Sequence, residues 1–261
     1  MKKDIKEHLK DKHGSRFQDC NFGEKEFHLK KRKLSVEEIT TANRTTGKGK
    51  PTTGGGTPPP PTPVLTTGVI FLDFTGHIVT GTSWNYNGDI NCAPANLIAL
   101  QVDEILLNVQ NEYARYNVLV TTDEAVYLAA PVNKRIRLIF TESWEWYGQA
   151  GGVAFVNSFT WGDNTPCFVF TSLLNYSTKK IKEAASHEIG HTIGLYHQST
   201  YDANCVKISD YSYGDGVTGP IMGVCYNIPD AGSKWWVGPN SYGCTSIQDD
   251  DAVLTRVLGL K

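Results

Sequence analysis

His187-Glu188-Ile189-Gly190-His191-Thr192-Ile193-Gly194-Leu195-Tyr196-His197 is the stretch from which the rest of the chain can be read. It has the form HExxHxxGxxH. His187 and His191 are four residues apart, so on a helix their imidazoles project from one face, one turn apart. That geometry lets two ring nitrogens share one metal ion at roughly 2.0–2.1 Å each. Glu188 lies beside them, where its carboxylate reaches a water at the metal without becoming a ligand. Gly194 admits a left-handed backbone, which ends the helix in a sharp turn. The turn brings His197 back as a third ligand. On a continuing helix His197, six residues past His191, would face nearly the opposite way.

Working outward, the spacing predicts a helix over about Thr178–Leu195, capped by Ser177 or Thr178, with Ile181, Ala185, Ile189 and Ile193 recurring every four residues as its buried stripe. Val69–Phe74 (VIFLDF) is a strand with apolar side chains on both faces, as a central strand has. Ala95–Tyr116 reads as a long amphipathic helix. Asn117–Thr121, Arg135–Phe140, Gly151–Asn157 and Cys167–Thr171 read as further strands. A last helix is expected over about Ser246–Leu258, with Asp249, Asp250 and Asp251 in its first turn. Those three acids look like a calcium site at first sight. Helix-start charges are the simpler account, so calcium has no support. Strands alternating with helices, followed by a long irregular stretch, point to an α+β or α/β-like domain with one mixed sheet.

The body of this domain begins near Val64. Residues 1–63 form a basic leader, with 14 Lys+Arg against 8 Asp+Glu; the body carries 11 against 19. An acidic body gives no case for nucleic-acid binding. Residues 47–63, GKGKPTTGGGTPPPPTP, have the composition of a linker. The expectation is a disordered tail, with a pro-segment remnant as the sharper reading. No apolar run approaches the roughly 18 residues of a membrane span. The amino terminus has the charges of a signal peptide without its apolar stretch. The wide spacing of Cys92, Cys167, Cys205, Cys225 and Cys244 nevertheless leans towards disulfides in an exported protein. Cys205 and Cys225 flank one loop and could bridge. Cys20 reads either as a stray cysteine or as a thiolate that holds the metal site latent.

The histidine motif resembles that of the metzincin clan of zinc endopeptidases. A downstream methionine turn completes the clan's pattern, and Met222 in Gly219-Pro220-Ile221-Met222-Gly223 stands in that place. The resemblance covers 64–261 and implies a metzincin-type zincin fold. Its parts would be a mixed twisted sheet, two long helices including the active-site helix, and an irregular C-terminal subdomain with the Met-turn. It implies one catalytic zinc on His187, His191 and His197, with Glu188 as general base and Met222 as an apolar floor. Gly151–Asn157 would be an antiparallel edge strand along the cleft, able to bind an extended peptide as one more strand. The segment Pro220–Tyr226 would line a specificity pocket, and Tyr226 could instead hydrogen-bond an oxyanion. The residue after the third histidine, Gln198, departs from the Asp, Ser, Glu or Pro typical of subfamilies. The motif is closest to reprolysin-like and matrixin-like enzymes, and the subfamily stays open.

The expected function is therefore a secreted, monomeric zinc endopeptidase acting on proteins or peptides. Its rival is a catalytically idle zinc-binding or adhesion module on the same fold. The intact Glu188 speaks against that rival, because metal binding alone does not need it. An intracellular aminopeptidase-like enzyme is a third reading, disfavoured by the third-histidine arrangement.

Overall fold

The computed structural model describes residues 5–13, 17–20 and 67–261. In chain order they form α1 (Ile5–His13), β1 (Phe17–Cys20), β2 (Gly68–Asp73), β3 (His77–Val79), β4 (Ile90–Cys92), α2 (Ala99–Glu112), β5 (Val118–Thr121), α3 (Glu124–Ala129), β6 (Arg135–Thr141), β7 (Gly152–Phe155), β8 (Cys167–Phe170) and α4 (Thr178–Ile193). The C-terminal stretch adds short strands β9 (Thr200–Tyr201), β10 (Lys207–Ser209), β11 (Gly219–Pro220), β12 (Ser233–Lys234), β13 (Val237–Asn240) and β14 (Gly243–Asp249), then α5 (Asp250–Leu258). This is the mixed α+β class expected from the sequence.

The main sheet has six strands in the order β1-β7-β8-β6-β2-β5. β2 is parallel to β5 and β6, and β6 is parallel to β8. β7 runs antiparallel to β8. Both faces are covered, which is why the central strands read as unbroken apolar runs. Along β8, Cys167 and Val169 join the larger core against α2, α4 and α5, while Phe168 and Phe170 join a second core around Trp84. The same alternation sends Ala154 of β7 to the α4 side and Val153 and Phe155 to the other.

Several boundaries differ from the sequence expectation. The helix expected from Ala95 begins at Ala99, because Asn96 takes a positive φ of 53° and Ile98 is extended. The helix expected from Ser246 begins at Asp250. Residues 243–249 are instead the second strand of a hairpin with β13, and the Asp249 side chain caps the helix by accepting from the Ala252 amide at 3.0 Å.

Parts of the leader, expected as a disordered tail or pro-segment remnant, are among the described residues. Residues 5–13 and 17–20 form α1 and β1, held by buried Ile5 and Leu9 and by pairing with β7. The linker at 47–63 lies outside the described residues. The bridge suggested between Cys205 and Cys225 is not formed. Cys205 is bonded to Cys244, and Cys225 is a free, buried thiol. Spacing cannot select among pairings that only tertiary approach decides. Among the described residues, no helix is long and apolar enough to cross a membrane.

Candidate metal centre

The two ends of α4 are specified locally. Ser177 caps its start, accepting from the Lys180 amide. Gly194 ends it at φ +123°, donating to the carbonyls of Gly190 (3.1 Å) and His191 (2.9 Å). A side chain at Gly194 would be strained by that φ, and its Cβ would lie 2.5 Å from Asn157 Oδ1. The resulting turn returns His197 to the helix face, where its Nε2 sits 3.1 Å from His191 Nε2.

His187, His191 and His197 each offer one ligand atom within 4.8 Å of the others, and all three are buried. Two nitrogens on one tetrahedral zinc stand about 3.3 Å apart, given bonds of roughly 2.0–2.1 Å. The 3.1 Å approach of His191 to His197 matches that demand. Tautomers fit as well. His187 Nδ1 lies 2.7 Å from the Ile221 carbonyl, and His191 Nδ1 lies 2.7 Å from the Leu195 carbonyl. A carbonyl only accepts, so each Nδ1 carries the proton and each Nε2 keeps its lone pair for a metal. Burial lowers the His187 imidazole to about 4. Burial, with the neighbouring imidazoles, pushes His191 and His197 well below the ordinary range. All three are therefore neutral near pH 7, the form that ligates. The residues fit a zinc ion.

Glu188, next to His187, is fully buried. Room for it comes from Gly152 on β7: a Cβ there would lie 2.5 Å from Glu188 Oε1. Sequence reasoning missed this role. The available signal was a glycine pair, Gly151-Gly152, at the start of an apolar strand, which marks close approach.

The segment around Met222 packs against α4, and Met222 is fully buried. Its sulfur occupies the space a Cβ on Gly190 would need, at 2.6 Å. The Met222 carbonyl accepts from the Gln198 amide at 2.8 Å, tying the residue after the third histidine to this segment. The Gln198 side chain donates to Asp250 Oδ1 (3.1 Å) and to the Gln248 carbonyl (3.3 Å). Pro220 is buried in β11, and its carbonyl accepts from the Gly223 amide at 2.9 Å. Tyr226 packs against the main core, with Lys180 Nζ 5.6 Å from its ring centroid. Tyr211, not singled out from sequence, has its ring centroid 4.5 Å from that of His197 and 6.4 Å from that of His187. Tyrosine at 211 carried no local signal; it arrives through the irregular stretch after α4.

The family model for Metallo-peptidase family M12B, Reprolysin-like, matches residues 89–198. No curated protein matches the chain. The matched span runs from β4 through β7 and α4 to Gln198, and so contains Glu188 and all three histidines. A family match over that span, on a fold consistent with the metzincin zincin architecture, supports a metzincin-clan zinc metallopeptidase of undecided subfamily.

Proposed function

We propose that the chain is a zinc endopeptidase of proteins or peptides, with a catalytic domain at 64–261. The observation that carries this reading is the cluster of three neutral, buried histidines on and after α4, with Glu188 next in sequence to the first. His187, His191 and His197 hold the zinc. Bound there, zinc supplies a Lewis acid that polarises a peptide carbonyl and acidifies a water. Glu188 takes the proton of the attacking water and delivers it to the leaving amide nitrogen. Its burial beside Gly152 keeps bulk water from competing for that carboxylate. β7 pairs with β1 along its outer edge, so an extended substrate takes main-chain hydrogen bonds there only when β1 is displaced.

Met222 serves as the Met-turn floor, a role supported by its packing under Gly190. Pro220 and Tyr226 contribute to the wall of a specificity pocket. The packing of Tyr226 against the core favours this wall role over an oxyanion role. The Cys205–Cys244 disulfide supports an oxidising, extracellular setting.

Elemental analysis with casein hydrolysis tests the reading. One zinc per chain and chelator-sensitive cleavage are expected, with both lost in His191→Ala. Stoichiometric zinc without cleavage, even after the leader is removed, would instead favour the idle binding module.

A further inference from the structure

Two of the three candidate ligands owe their aim to α4. His187 and His191 project from one face of the helix, and the Ile221 and Leu195 carbonyls fix their rings at Nδ1. His197 lies beyond Gly194, where no helix sets its side chain. Its neighbours in sequence fix the main chain. The Gln248 side chain accepts from the Tyr196 amide at 3.0 Å and donates to the Tyr196 carbonyl at 2.8 Å. On the other side, the Gln198 amide donates to the Met222 carbonyl at 2.8 Å. A backbone held in this way still leaves the side-chain torsions of His197 to be chosen by what packs on its ring.

We propose that Tyr211 is the positioning residue of the third ligand: its ring, rather than its hydroxyl, holds the His197 imidazole in the orientation a metal ion needs. This rests on the zinc-site reading above. The Tyr211 ring centroid lies 4.5 Å from that of His197, with the two planes tilted by 43°. His191 meets the same imidazole with centroids 4.8 Å apart. Aromatic rings at such separations attract one another in offset and tilted arrangements. Tyr211 and His197 are both buried, so turning His197 to another rotamer would push against a ring in a closely packed interior.

Tyr211 is held in turn by the segment it serves. Ser199 Oγ donates to the Asp210 carbonyl at 2.8 Å, and the Ser212 amide donates to the Gln198 carbonyl at 2.6 Å. The residues on both sides of Tyr211 are thus bonded to the two residues that follow His197. The Val224 amide donates to the Ser212 carbonyl at 2.9 Å, which joins this arrangement to the segment around Met222. The Tyr211 amide itself donates to Ser209 Oγ at 3.2 Å. The irregular stretch after α4 therefore folds back on the turn that carries the third histidine. All of these contacts lie within the chain, so they order His197 as the protein folds, and metal binding does not have to.

The test measures zinc affinity by chelator competition and the absorption spectrum of the Co(II)-substituted protein, for Tyr211→Phe and Tyr211→Leu beside wild type. Urea unfolding in the presence of chelator checks the metal-free fold of each. Tyr211→Phe keeps the ring, so its zinc affinity should stay within about twofold of wild type with an unchanged Co(II) spectrum. Tyr211→Leu keeps apolar bulk without a flat ring. It should bind zinc about 10- to 100-fold more weakly, with altered Co(II) bands. A merely structural role would lower metal-free stability and leave those bands as they are, which would overturn the proposal. Loss in Tyr211→Phe equal to that in Tyr211→Leu would also overturn it, by moving the role to the hydroxyl. The Phe variant removes only that hydroxyl, so it decides ring against hydroxyl even if the Leu variant does not fold. Wild type that binds zinc and cuts casein, with affinity indifferent to Tyr211→Leu, sinks this proposal alone. Wild type without stoichiometric zinc sinks the reading beneath it.

Discussion

The sulfur of Met222 fills the space that a side chain on Gly190 would need, 2.6 Å from the position of its Cβ. Gly190 stands on α4 between the first two histidines, and Ile221, beside Met222, accepts from His187. This close contact packs α4 against the segment whose Ile221 carbonyl orients the His187 ring. Gly190→Ala is expected to displace Met222 at a cost of about 1–3 kcal/mol. Urea unfolding measures that loss, and zinc affinity should fall with it. Met222→Leu, near in volume, should cost less than about 1.5 kcal/mol.

Gln198 carries a second prediction. Its backbone is bonded to Met222 and its side-chain amide to Asp250 and Gln248, so it anchors the segment that follows His197. Gln198→Leu leaves buried Asp250 Oδ1 with one donor fewer, since Gln248 Nε2 remains at 2.8 Å. The expected loss is about 1–3 kcal/mol of stability. Weaker zinc retention in a chelator competition should accompany it, because His197 loses its support.

Asp250 also makes stability depend on pH. It is fully buried, and burial raises its carboxyl to about 6, above the ordinary 3.8. The folded chain then holds a proton that the unfolded chain has released between those values. Stability should accordingly fall as pH rises from about 4 to 6, by up to about 3 kcal/mol from this group. Asp250→Asn should flatten that slope in denaturant titrations across the window, whatever its effect on stability at one pH.

The Cys205–Cys244 bridge closes a loop with a sequence separation of 39. Its removal as the paired Ser variant should cost up to about 4 kcal/mol on loop-entropy grounds. Thermal unfolding with and without reductant measures it. The wild type under reduction should approach the variant.

Much of the site was legible in the sequence because it is local. Helical spacing alone brings His187 and His191 to one face, and Gly194 announces the turn that returns His197. The strand runs were equally plain, since buried parallel strands carry apolar residues on both faces. What stayed hidden is non-local. Nothing near Glu188 in the chain predicts that Gly152 makes room for it, or that the Ile221 carbonyl orients His187. Tyr211 and the partner of Cys205 come from the irregular stretch, where no periodicity guides the reading. The leader's composition does not announce α1. Its charge suggests disorder, yet Ile5 and Leu9 of α1 are buried in the core around Trp84.

The most direct test of the central claim is casein hydrolysis by wild type beside Glu188→Ala, with the zinc content of each preparation measured. The account predicts one zinc in both proteins and cleavage in wild type alone, abolished by chelator and restored by added zinc. Equal cleavage by the two proteins, or no stoichiometric zinc in the wild type, would contradict it.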